Sequence, residues 1–186
     1  RRFQHLAELT QPQSTEQVST KRLDDIPEIE SIDYLKVDVQ GGEVAVFRGA
    51  ERLLRGTVFV HTEVTFAPMY KGQPLFAEID QELRRQGFLF HTFAAMSGRA
   101  FKPLAPAQDQ SFPFRQYLWG DAVYVKDFTR LGELTAEQLL KLAAIAHEVY
   151  GSPDLAALAL QHHDAKGKGG LWKVYMQRLM GTVPPA

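Results

Sequence analysis

Two strand-like runs in this chain each end in a carboxylate, and those ends are where its chemistry is to be sought. The first, Tyr34-Leu-Lys-Val-Asp-Val39, carries Asp38 at its end, with Gln40, Gly41, Gly42 and Glu43 just beyond. The second, from Thr57 to Phe66, carries His61 and Glu63, two residues apart and so on one face of a strand. In open α/β sheets ligands bind beyond the carboxyl ends of the strands. If the two runs are neighbours, Asp38 and Glu63 share one rim. Carboxylates beside a histidine can bind a hydroxyl, share a proton or hold a divalent cation.

Each of these residues also has a structural reading. Glu43 suits the positive end of the helix it starts. Gly41-Gly42 can serve backbone turning alone. His61, inside a strand, reads as a structural histidine before it reads as a ligand. Lys36 reads as a side chain reaching for solvent. Asp121, after Trp119-Gly120, reads equally as a turn residue and a site residue. Glu63 lies among apolar neighbours, where an unpaired carboxylate is costly, and that favours function. His162-His163-Asp164 reads as the solvated end of a polar helix rather than a metal cluster.

The elements that must position these residues follow from pattern. Residues 34–39 are dense in β-formers and predict a strand buried on both faces, as in a parallel sheet. An amphipathic helix is predicted from about Glu43 to Arg55, with Gly56 as its C-cap and Arg52 and Arg55 at the negative pole. Strand 57–66 then completes a βαβ unit. Pro74 is placed as the first residue of a helix that stops at Gly87. Residues 88–93 predict a third strand, and residues 94–115, with Pro103, Pro106 and Pro113, a long irregular excursion. The last strand, best at Ala122-Val-Tyr-Val125, is expected beside 88–93 and antiparallel to it. Ahead of the sheet, Gln11–Thr15 reads as a loop and Val18–Leu23 as a short strand or extended approach. Behind it, Thr135-Ala-Glu-Gln138 has the form of a capping box, Ser152-Pro153-Asp154 opens a second helix, and Leu171 to Met180 a third.

Composition narrows the classes. The chain has 186 residues, 45% apolar and 23% charged, enough for one sizeable core. Its net charge of −1 provides no field for general nucleic-acid binding. It has no cysteine, which excludes a disulfide framework, a thiolate metal site and a Cys nucleophile. No apolar run approaches the length of a membrane span and no signal-peptide core follows Arg1, so the expectation is a cytoplasmic protein with no membrane partner. The opening on Arg1 suggests a truncation or a processed product. There is no phosphate loop, no nucleophile elbow and no G-x-G-x-x-G after a strand.

Several blocks together resemble a known family. Thr20-Lys-Arg-Leu-Asp-Asp25, Ile32-Asp-Tyr-Leu-Lys-Val-Asp-Val-Gln-Gly-Gly-Glu43 and Phe47-Arg-Gly-Ala50 resemble the C-terminal half of the FkbM-type methyltransferases. Thr62-Glu-Val-Thr-Phe66, Met69-Tyr-Lys-Gly72, Leu75-Phe76, Gly87-Phe88 and Gln116-Tyr-Leu-Trp-Gly-Asp-Ala-Val123 extend the likeness over about residues 18–127. The resemblance implies an α/β fold: part of a class I methyltransferase (Rossmann-like) sheet with an antiparallel C-terminal hairpin, in residues 1–128, then a small helical tail, 129–186. It implies S-adenosylmethionine as methyl donor and a hydroxyl of a sugar or secondary metabolite as acceptor. It places Asp38, Glu43 and Glu63 as catalytic residues and Gln40, His61, Tyr70 and Asp121 as substrate contacts.

One departure is large. The family's glycine-rich turn and acidic ribose ligand lie upstream of the block where this chain begins, so the cofactor contacts are expected before Arg1. The flank of strand 34–39 is then expected to need cover from another segment or a second copy. Two other readings stay open: a non-catalytic dimerising or ligand-recognition module, and a metal site of Asp38, Glu43, His61 and Glu63 for hydrolysis or glycosyl transfer.

Overall fold

The structure, a computed structural model, describes residues 14–101, 103, 114–167 and 169–182. Its β-rich runs form one mixed sheet: β1 (Tyr34–Val37), β2 (Phe59–Thr65), β3 (Phe88–Gly98) and β4 (Tyr117–Lys126), in the order β1-β2-β4-β3. β1 and β2 are parallel, as the helical crossover between them requires. β4 runs antiparallel to both β2 and β3, so the expected hairpin is present.

The strand at 34–39 departs from its prediction. It ends at Val37 and buries one face only: Val37 is buried, while Tyr34 and Lys36 are exposed. The reason is position. β1 is an outer strand, and only its Leu35/Val37 side lies under helices.

The predicted helix 43–55 is two helices, α1 (Glu43–Arg48) and α2 (Glu51–Gly56). Asp24 explains the break. Its carboxylate accepts the Arg52 and Leu53 N–H groups at 2.8 and 3.2 Å and so caps a new helix N-terminus. Arg52 therefore lies near a helix start, and its guanidinium donates to the carbonyls of Asp24, Ile29 and Glu30. Gly56 is the last residue of α2 rather than its cap.

The next helix, α3 (Phe76–Arg85), begins after Pro74, because the Glu78 carboxylate accepts the Leu75 N–H at 3.0 Å and sets the cap there. Residues 14–22 form no strand, and Leu23–Asp25 is a 3-10 turn. Gln11–Gln13, Pro106 and Pro113 lie outside the described residues.

β3 runs five residues past its predicted end, through part of the expected excursion, with register shifts between Phe90 and Thr92, Phe93 and Ala95, and Ser97 and Gly98. Ala94-Ala-Met-Ser-Gly98 has no β-branched residue, so its strand character comes from pairing with β4 rather than from propensity.

The tail consists of a 3-10 turn (Phe128–Glu133) and helices α4 (Ala136–Glu148), α5 (Pro153–Asp164) and α6 (Leu171–Thr182). The Thr135–Gln138 capping box forms, with reciprocal bonds of 2.9 and 3.1 Å. The sheet carries a core on each side. Val60, Val64 and Tyr124 pack with Phe47, Leu54, Ile79 and Leu83 of α1–α3. Phe59, Val123 and Val125 pack with Leu131, Leu139, Leu142, Leu155 and Leu160 of the tail. The tail thus shares a core with the sheet. His162-His163-Asp164 is not a solvated face: His163 is buried, and Asp164 accepts the Leu171 and Trp172 N–H groups at 3.1 and 2.9 Å, capping α6.

Candidate active site

Register alone builds a row of carboxylates. Val37 pairs with Thr62, which puts Asp38 beside Glu63, and Glu63 pairs directly with Asp121 of β4. By strand alternation these three side chains share the sheet face that carries His61.

Past β1 the chain turns sharply. Gln40 has φ 55° and Gly41 has φ 105°, both in the left-handed region. Gln40 is not a glycine, so this conformation costs energy and needs support. Its side chain supplies it: Nε2 donates to Asp38 Oδ1 at 2.8 Å and to Glu63 Oε2 at 3.2 Å, and Oε1 accepts the Tyr70 hydroxyl at 3.2 Å. Tyr70 is held in turn by Gln73, whose Oε1 accepts the Met69 and Tyr70 N–H groups at 3.1 and 3.2 Å. Gln40 therefore ties together both strand ends and the loop after β2.

Glu43 is placed differently. It is only 2% exposed. Its carboxylate folds back to accept the Val39 N–H at 3.2 Å and the Gly41 N–H at 3.1 Å. It closes the turn from within and lends its charge to the rim.

The electrostatics single out Glu63. Burial, then the charges of Asp38, Glu43 and Asp121, push its carboxyl up to about 7, with Lys36 opposing. The shift moves its proton exchange toward the neutral range, where carboxyls ordinarily no longer exchange.

His61 lies one row below. Burial lowers its pKa below the ordinary histidine value; Asp121 opposes this and Lys36 adds to it. Its Nε2 is 3.9 Å from Asp121 Oδ1, and its Nδ1 lies 3.2 Å from the hydroxyls of both Tyr34 and Tyr150. Neither tyrosine was singled out from sequence. Tyr34 shares the parity of Lys36 and Asp38, which was a usable signal. Tyr150 follows α4, and nothing local in sequence links it to the sheet.

An open groove of about 820 Å³ lies behind the turn, lined by Arg22, Gly41, Gly42, Arg48 and Gln73 among others. Asp38, Glu63 and Asp121 do not line it. Among the described residues no group of three or more His, Asp or Glu side chains is arranged to hold a metal ion.

Fold and rim together define an α/β protein with its polar cluster at the carboxyl ends of the parallel strands. The family model described as methyltransferase FkbM domain matches residues 2–90, and the resemblance read from the blocks around Asp38 is shown over that stretch. The match ends short of β4, so the likeness at 116–123 rests on the sequence blocks alone. The 2-O-methyltransferase NoeI of Sinorhizobium fredii (strain NBRC 101917 / NGR234) is 43% identical to this chain over 67 residues, covering 34% of this chain and 28% of that protein. No solved structure gives a significant match.

Proposed function

We propose that this chain is the acceptor-side part of an S-adenosylmethionine-dependent O-methyltransferase acting on a hydroxyl of a sugar or other small molecule. The observation that carries this reading is the cluster of Asp38, Gln40, Glu63 and Asp121 at the strand ends, whose first three members lie within the stretch matched by the methyltransferase FkbM domain; Glu63 is the member pushed up, to about 7. The relative, a 2-O-methyltransferase, supports a hydroxyl acceptor.

The sheet order β1-β2-β4-β3, with its last pairs antiparallel, agrees with strands four onward of a class I methyltransferase sheet. The donor, when bound, supplies an electrophilic methyl carbon. Among the described residues, no strand with a glycine-rich turn precedes β1. The described residues therefore fit the acceptor half of the site and not the donor half. Nothing among the described residues pairs with the outer edge of β1. Another segment or a second copy covering that edge fits the same reading.

On the acceptor side the chain has three tasks. Gln40 and Tyr70 hold the turn that borders the acceptor. Asp38 and Asp121 accept hydrogen bonds from its hydroxyls. Glu63 takes the proton of the reacting hydroxyl, so that the oxygen lone pair is free for the incoming methyl group.

The test has two parts. Calorimetric titration with S-adenosylmethionine compares this chain with one extended upstream; tight binding by this chain alone would refute the divided site. Methyl transfer to hydroxylated sugars is then measured in the extended chain. Glu63→Gln is expected to slow it by about 10²–10⁴, and full activity in that variant would remove Glu63 as the base.

A further inference from the structure

Three polar groups meet where the tail reaches the sheet. The Tyr150 hydroxyl donates to Tyr34 Oη at 3.1 Å, and each hydroxyl lies 3.2 Å from His61 Nδ1. Tyr150 is held there by packing: its ring stacks on Phe59 with centroids 5.2 Å apart. On the other side of the imidazole, Nε2 is buried with no hydrogen-bond partner among the described residues, and Asp121 Oδ1 lies 3.9 Å away.

Proton counting within the cluster favours one tautomer. Two hydroxyls have two protons to give. If Tyr150 donates to Tyr34 and Tyr34 donates to Nδ1, both are used and Nδ1 is an acceptor. The neutral imidazole then carries its proton on Nε2, facing a carboxylate. In the other tautomer the Nε2 lone pair would face that carboxylate, and one tyrosine proton would have no acceptor within the cluster. Burial raises the Tyr150 hydroxyl well above the usual tyrosine value, and the bond with Tyr34 adds to this, so it remains a donor.

We propose that the hydroxyls of Tyr34 and Tyr150 fix His61 as the Nε2–H tautomer and aim that N–H at Asp121, making the tail a positioning part of the site. The contribution to catalysis rests on the reaction proposed above; the tautomer does not. Asp121 is partly exposed at the rim, and an N–H 3.9 Å behind it acts on its carboxylate through the charge rather than through a formed hydrogen bond. In this proposal Tyr34 and Tyr150 act through His61.

The experiment is long-range ¹H–¹⁵N correlation on the imidazole of His61 in the full chain, above neutrality. Nδ1 is expected unprotonated and hydrogen-bonded, Nε2 protonated. Either tyrosine hydroxyl can reach Nδ1, so Tyr34→Phe and Tyr150→Phe alone should each keep this form. The double variant keeps both rings but removes both donors, and is expected to give a mixture of tautomers and a shifted Asp121 carboxyl ¹³C resonance. A predominant Nδ1–H form in the unaltered chain overturns the proposal. So does a double variant, folded by near-ultraviolet circular dichroism, whose His61 nitrogens and Asp121 carboxyl are unchanged. The expected shifts in a chain that transfers no methyl group support the tautomer and count against the reaction alone.

Discussion

The backbone N–H of Gly41 donates to both carboxylate oxygens of Glu43, each at 3.1 Å. This bond closes the turn that carries Gln40 to the rim. Glu43→Ala removes the charged acceptor of the Gly41 and Val39 N–H groups in a partly exposed turn. Chemical denaturation should show a loss of about 1–3 kcal/mol. Glu43→Gln retains one acceptor oxygen and should lose less. Equal stability of all three proteins would mean that the turn does not depend on this carboxylate.

Glu63 makes stability depend on pH, in a direction opposite to an ordinary paired carboxylate. Its folded value of about 7 lies above the ordinary glutamate value of 4.5. Below 4.5 both states hold the proton and there is no penalty. As pH rises from 4.5 to about 7 the unfolded chain releases its proton first, so stability falls; above that it levels off. Glu63→Gln should remove this fall and be the more stable protein above neutrality. Melting temperatures across this range check it, and parallel profiles for the two proteins would reject the elevated value.

Gly120 sits at a point where β3 and β4 approach too closely for a side chain. A Cβ there would stand 2.7 Å from the Ala95 carbonyl oxygen and from Met96 Sδ. The carbonyl belongs to the paired strand and cannot move aside cheaply. Gly120→Ala should cost about 1–3 kcal/mol by overpacking and displace the neighbouring Asp121. An unfolding midpoint within error of the parent would show that the bulged β3 gives way.

Sheet and tail should unfold together, because Phe59, Val123 and Val125 share one core with Leu139, Leu142 and Leu155. Leu142 is fully buried there. Leu142→Ala should destabilise by about 2–5 kcal/mol and lower a single transition seen by both far-ultraviolet and aromatic signals. Two separate transitions, with only the helical one moved, would show that the tail is an independent unit.

Much of this protein was legible because local signals were strong. The β-dense runs around Val37 and Val60, the Thr135–Gln138 box and the antiparallel pairing of the last two strands follow from composition and periodicity. So did the concentration of polar residues at Asp38, Gln40 and Glu63, since strand ends are where an open sheet exposes them. What local pattern could not express is long-range contact. Asp24 breaks the helix after β1 from 28 residues away. β3 extends through a stretch without β-formers because β4 offers it hydrogen bonds. Glu43 turns inward because the Val39 and Gly41 N–H groups have no other acceptor in the turn. Tyr150 meets Tyr34 across 116 residues of chain. The amino-acid sequence by itself determined which residues could do chemistry and which elements carry them. Only the tertiary structure decided their charge and company, because desolvation and hydrogen-bond partners depend on what the fold packs against each group.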